Sequence, residues 1–312
     1  MENQFTPEKV RDVFRTQYIV NAILIACIGN FYMTIAAASW PQNNLDSQTA
    51  RAQGQLYSLV SNGEPDLGYY FYLPATKVVP SNVIVSVHGI SRNIDEHIWA
   101  MRSWADKYGV ALIMPLYDKM DFHDYQRLGR NGHGPRADIP LIRILNEVEE
   151  NFGINTQKID LFGFSGGAQF SHRFSLLHPQ RVSRLGIASA GWYTWPDNRQ
   201  AYPMGTANTL GLQNAEIDLE GMLQIPTCIF VGERDTKRSR SLNTSPQLDK
   251  TQGENRLQRA KNWANAMQQA ASDRGINASM QLEILPNTKH SFRQAVTRGK
   301  LISRLFECFY ET

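Results

Sequence analysis

The pentapeptide Gly163-Phe164-Ser165-Gly166-Gly167 constrains the fold of this chain more than any other stretch. It follows directly on the apolar run Ile159-Asp160-Leu161-Phe162 and leads into Ala168 to His178, which reads as a helix. A strand that runs into a helix through a serine flanked by glycines is a nucleophile elbow. The turn holds the serine backbone in a strained conformation, so the residues two before and two after it must be nearly free of side chain to avoid collision. Ser165 then stands exposed at the strand's end. The five-residue pattern recurs by chance in many chains, and its weight here comes from its setting between strand and helix.

The order of elements around the elbow points to one architecture. Gln55 to Ser61 and Tyr69 to Leu73 surround the Asn62-Gly63 turn signal and read as an antiparallel pair. The apolar runs at 83–87, 110–114, 159–162, 185–188 and 227–231, with Met280 to Leu285 as the last, are short, as expected for parallel strands covered on both faces. Helical patterns alternate with them at 96–107, 137–151, 168–178, 256–274 and 294–309. Such alternation predicts an α/β fold: a doubly wound, mostly parallel sheet with helices on both faces. Two insertions rich in turn-forming and polar residues interrupt it, at 191–221 and 236–254.

At 312 residues the chain fits one α/β domain, 41–312, preceded by an extension. From Tyr18 to Ala38 that extension is largely apolar and follows Lys9, Arg11 and Arg15. Ala36-Ala37-Ala38 before Ser39 supplies a small-residue cleavage pattern. Residues 1–40 therefore read as a cleaved export signal with a short linker or, because roughly 20 apolar residues span a bilayer, as a retained membrane anchor. The protein is therefore expected to be exported, periplasmic or secreted, or membrane-anchored through residues 18–38. Leu24-Ile25-Ala26-Cys27 also resembles a lipoprotein box, but apolar residues continue past Cys27 and argue against processing there.

The net charge of +3 is small, and no basic run is interleaved with stacking aromatics, so nucleic acid is not an expected partner. The three cysteines, Cys27, Cys228 and Cys308, form no CxxC pair and suggest neither a zinc site nor a disulfide framework. Cys228 and Cys308 lie in apolar segments and read as buried free thiols.

In this architecture a nucleophilic serine, its acid and its histidine follow in that chain order, on loops at the carboxyl ends of strands. Downstream of Ser165 the histidines are His172, His178 and His290. The first two fall on the helix leaving the elbow, which leaves His290, in the loop after the last strand, as general base. For the acid the chain offers Glu233 and Asp235 after the 227–231 strand. Asp235 is preferred, because the glycine turn at Gly232 is completed before it and its shorter side chain fixes an imidazole more tightly. The oxyanion formed by attack on a carbonyl needs backbone donors: Gly166 N–H after the nucleophile, and Ile90 N–H in His88-Gly89-Ile90-Ser91. His88 reads as a structural hydrogen-bonding residue beneath that loop.

The combination of His88-Gly89, the elbow, Gly232-Glu233-Arg234-Asp235 and Lys289-His290-Ser291-Phe292 resembles an α/β-hydrolase from about Gln55 to the C-terminus. Phe164 to Phe170 with His178-Pro179 and Val182 is similar to the secreted polyhydroxybutyrate depolymerase and feruloyl esterase group, although that group's usual disulfide cysteines and aromatic binding module are not seen. The resemblance implies a serine hydrolase acting on a small-molecule or polymer ester, with no cofactor. A catalytically silent binding module of the same fold, and peptidase, thioesterase or lactonase chemistry, are the alternatives.

The remaining features have plainer readings. Asp118, Asp121, His123, Asp124 and His133 crowd one loop, but it is too long to specify a metal geometry, and a structural or substrate-facing role is expected. Trp192, Tyr193, Trp195 and Tyr202 suit either a cleft mouth or a small packed lid. Arg234, Lys237, Arg238 and Arg240 read as a solvated face, with attraction of an anionic substrate as the alternative. Trp99 and Trp104 are expected in the core.

Overall fold

The computed structural model describes residues 54–76, 79–129, 134–207, 212 and 215–311. The apolar stretch 18–38, Cys27 and His133 lie outside them. Eight strands form one sheet in the order β1-β2-β4-β3-β5-β6-β7-β8. The strands are β1 Leu56–Ser61, β2 Leu67–Tyr72, β3 Val83–Val87, β4 Ala111–Leu116, β5 Ile159–Phe164, β6 Val182–Ala188, β7 Thr227–Gly232 and β8 Met280–Leu285. The hairpin β1–β2 is antiparallel and β2 runs antiparallel to β4, while β4, β3, β5, β6, β7 and β8 are parallel neighbours.

Helices cover both faces, as the alternating pattern requires. They are α1 Ile94–Tyr108, α2 Asp138–Phe152, α3 Gly166–Leu177, α4 Leu219–Leu223, α5 Pro246–Gln252, α6 Arg256–Ser272, α7 Phe292–Thr297 and α8 Leu301–Tyr310. Strand periodicity divides the core between two layers. Val83, Val85 and Val87 pack with Leu141, Phe174 and Trp263 from α2, α3 and α6, whereas Ile84 faces Met101, Leu305 and Phe306 from α1 and α8. All of β3, β5 and β7 is buried, which is why those strands read as unbroken apolar runs rather than alternations.

Three expectations are corrected. The helix expected over 294–309 is two helices, because Gly299 sits against Leu285 Cβ and Thr288 Oγ1, each 2.8 Å from where its own Cβ would be, and Lys300 takes a left-handed φ of 56°. Nothing in the apolar spacing marks that break. Cys228 and Cys308 are not free thiols: they form a disulfide across 80 residues, with Cα atoms 6.7 Å apart, because α8 packs over β7. Trp99 is 69% exposed, on the α1 face shared with Asp95 and Glu96, while Ile94, Ile98, Met101 and Ala105 take the buried face. Trp104 is half-buried against Phe306. Among the described residues no helix is long and apolar enough to cross a membrane.

Candidate active site

The elbow forms as its glycines require. Ser165, between β5 and α3, has φ 55° and ψ −108°, a region a residue with a side chain enters only when its surroundings force it. A Cβ on Gly163 would overlap the Gly167 backbone, and a Cβ on Gly167 would overlap the Val87 carbonyl oxygen. The backbone of Ser165 is pinned by its own N–H, which donates to Ala188 O at 2.8 Å.

Three side chains from distant parts of the chain meet here. Ser165 Oγ lies 3.0 Å from His290 Nε2, and His290 Nδ1 lies 2.8 Å from Asp235 Oδ2. A carboxylate only accepts, so Asp235 fixes the imidazole proton on Nδ1 and leaves Nε2 to accept from the serine hydroxyl. Asp235 is 1% exposed at the carboxyl end of β7; His290 is partly exposed after β8. The two loops are stitched together by Arg234 N–H donating to Thr288 O and Glu233 N–H donating to Leu285 O, both at 2.9 Å. Glu233 turns away: its Oε2 accepts from Asn287 N–H at 2.9 Å, which leaves Asp235 as the carboxylate on the histidine. Phe164 stacks on the imidazole with ring centres 5.5 Å apart.

On the other side of Ser165 stands the Gly89-Ile90 turn. Ile90 N lies 3.2 Å from the position a Gly166 Cβ would occupy, so this amide and the first amide of α3 border the same spot. A helix's first N–H groups have no acceptor within the helix. The turn is held from beneath. His88 Nδ1–H donates to Gly89 O at 2.8 Å, and its Nε2 accepts from Tyr117 N–H at 3.0 Å, so the ring is neutral; burial lowers its pKa to about 4. His88 therefore has the structural role expected of it.

Sequence reasoning missed three supports. Arg92, with φ 58°, donates from Nη1 to Ile90 O at 2.6 Å and from Nε to Tyr117 O at 2.9 Å, clamping the turn to the loop after β4. Tyr125 donates to His88 O at 2.8 Å beside Gly166. Arg256, the first residue of α6, lies behind Asp235 with Nη1 3.6 Å from Oδ1. No local motif marks any of the three, since each acts across a span of chain.

The other candidates fall elsewhere. His172 Nδ1–H donates to Ala168 O and His178 Nε2 meets Asp138 Oδ2 at 2.8 Å, both away from Ser165. Asp118 accepts from the Met120 and Asp121 amides, Asp124 pairs with Arg127, and no group of metal-ligating side chains occurs among the described residues. Trp192, Tyr193 and Tyr202 are buried, and Tyr193 stacks on Trp263 at 4.6 Å, so they form packing rather than an open cleft mouth. Arg238 is tied to Asp249 at 2.7 Å, whereas Arg234, Lys237 and Arg240 are exposed and form no ion pair among the described residues.

No family model and no curated relative matches the chain. Solved structures do. A poly(aspartic acid) hydrolase from Sphingomonas sp. KT-1 is 26% identical with a TM-score of 0.68, over 80% of this chain and 99% of that one. A poly(3-hydroxybutyrate) depolymerase from Bordetella parapertussis is 21% identical with a TM-score of 0.66, over 81% and 95%. A ferulic acid esterase is 13% identical with a TM-score of 0.55, over 82% and 98%. The sheet order, the helices on both faces and these likenesses belong together.

Proposed function

We propose that this chain, an α/β-hydrolase by fold, is a serine hydrolase that cleaves carboxylic esters through an acyl-enzyme. The observation that supports this best is the continuous hydrogen-bonded line from Ser165 Oγ through the His290 ring to Asp235, at 3.0 and 2.8 Å. In this reading the Ser165 oxygen attacks the ester carbonyl while His290 Nε2 takes the hydroxyl proton, and the Gly166 and Ile90 amides bind the oxyanion. Collapse expels the alcohol, protonated by His290, and leaves the acyl group on Ser165. Water, deprotonated by the same Nε2, then releases the acid and restores the serine. Asp235 holds the imidazole in the required tautomer throughout. No cofactor enters any step.

Labelling with a fluorophosphonate tests the assignment. Wild-type protein is expected to label and to hydrolyse p-nitrophenyl acetate, and Ser165→Ala to do neither. Equal labelling of the variant, or none of the wild type, would remove it.

A narrower reading of the substrate, an acidic acyl chain, is supported by the exposed cations Arg234, Lys237 and Arg240, which form no ion pair among the described residues, on the loop that carries Asp235. The similarity to a hydrolase of poly(aspartic acid) points the same way. Site of action belongs to the proposal as well: a disulfide persists in an oxidising compartment, which agrees with residues 18–38 as export signal or anchor.

A further inference from the structure

Only one oxygen of the Asp235 carboxylate engages the histidine. The other, Oδ1, is buried with no hydrogen-bond donor among the described residues and faces Arg256 Nη1 at 3.6 Å. Both side chains are sealed from solvent, at 1% exposure for Arg256 and 0% for Asp235. Arg256 itself donates from Nη2 to Ser241 Oγ at 3.0 Å, while its Nε and Nη1 find no acceptor among the described residues. Burying a guanidinium with so few partners is unfavourable unless a charge compensates it. Asp235 is the compensating charge, and the contact is fixed by the backbone: Leu257 N–H, at the start of α6, reaches Asp235 O at 3.4 Å.

We propose that Arg256 is a positioning residue for acyl transfer, holding the Asp235 carboxylate in one orientation and offsetting part of the negative charge that the forming imidazolium meets. This rests on the reading of Ser165, His290 and Asp235 given above. Two effects of removing the guanidinium can be separated. The freed carboxylate orients the ring less well, which lowers kcat. Its charge, no longer offset, favours the protonated ring, which moves the acid limb of the kcat/KM profile to higher pH.

The other groups around the pair do not substitute for Arg256. Tyr193, from the loop after β6, is uncharged, burial pushing its hydroxyl far up. Arg259 stands beyond Arg256 and is engaged with Asp249 at 2.9 Å, which also takes Arg238. Glu233, Arg234, Lys237 and Lys289 are exposed on the two loops, where solvent screens them.

The test is the pH profile of p-nitrophenyl acetate hydrolysis by the full chain and its variants. Arg256→Met is expected to lower kcat about 10-fold with little change in KM, and to move the acid limb up by about one pH unit. Arg256→Lys, which keeps the charge, is expected to hold the limb near its wild-type position. Ser241→Ala, at an exposed position that loosens the guanidinium without opening the core, should move the limb in the same direction by less. A folded Arg256→Met protein with the wild-type limb and kcat overturns the inference; if that variant does not fold, an unmoved limb in Ser241→Ala does so. Fluorophosphonate labelling separates the two levels: a labelled Ser165 with an unmoved limb defeats only the role of Arg256, whereas an unlabelled wild type defeats the hydrolase reading itself.

Discussion

Removing the Cys228–Cys308 bond should destabilise the protein without silencing its chemistry. The bond joins β7 to α8 across 80 residues of chain. For a closed loop of that length, the lost entropy of the unfolded chain amounts to about 4.5 kcal/mol at room temperature. That is a large part of the roughly 5–15 kcal/mol by which folded domains exceed their unfolded chains. With a urea dependence of about 3 kcal/mol per molar, the Cys228→Ala/Cys308→Ala protein should unfold at a midpoint about 1.5 M lower. Cys228 lies near the start of β7 and Asp235 beyond its end, so the folded variant should keep the wild-type kcat. Urea titration followed by tryptophan fluorescence, with and without reductant, makes the comparison, and reductant should move only the wild type. Denatured but unreduced wild type should yield two fewer titratable thiols than the same protein after reduction. Equal thiol counts, or a midpoint unmoved by the double substitution, would refute the reasoning.

Acid should also destabilise the fold. Burial lowers the pKa of His88 to about 4 and of His97 to about 3, and holds His172 well below its usual range. The unfolded chain takes up those protons from about pH 6.5 downward while the native state does not, so each histidine removes about 1.4 kcal/mol per pH unit below that point. Burial raises Asp160 and Glu147, which pull the other way against three histidines. Urea midpoints at pH 7 and pH 5 check this, and equal midpoints would contradict it. Gly167→Ala should cost more than about 2 kcal/mol and abolish any turnover of p-nitrophenyl acetate, because its methyl would overlap the Val87 carbonyl; a wild-type melting temperature would argue against the tight elbow. Reversing Arg234, Lys237 and Arg240 to Glu should lower kcat/KM for an anionic ester about 10-fold relative to a neutral one, with the difference fading in high salt. An equal effect on both esters would dismiss the acidic-substrate reading.

The parts of this molecule legible in its sequence are those written locally. Strands such as Val83–Val87 and Ile159–Phe164, buried on both faces, show as apolar runs, and the glycines of the elbow stand beside the serine they serve. His290 and Asp235 were reachable because the fold dictates their order along the chain. What stayed hidden depends on tertiary approach. Gly299 breaks the last helix because Leu285 and Thr288 crowd it, and Cys308 meets Cys228 only once α8 lies across β7. Arg256 and Arg92 act through contacts with residues 21 and 25 positions away, and neither belongs to a recurrent pattern.

Ser165, Asp235 and His290 extend from β5, β7 and β8, and the long excursions at 189–218 and 236–245 leave β6 and β7 on that same side. Main-chain bonds hold neighbouring strands about 4.8 Å apart whatever side chains they bear, whereas the excursions are shaped by individual residues, as where Gln252 clasps the Tyr193 backbone. On the serine-hydrolase reading, one excursion can be exchanged for another while Ser165, Asp235 and His290 keep their spacing. A chimera with a foreign segment between Thr236 and Arg240 would, on the serine-hydrolase reading, keep Ser165, Asp235 and His290 in place and change the charge that a substrate meets.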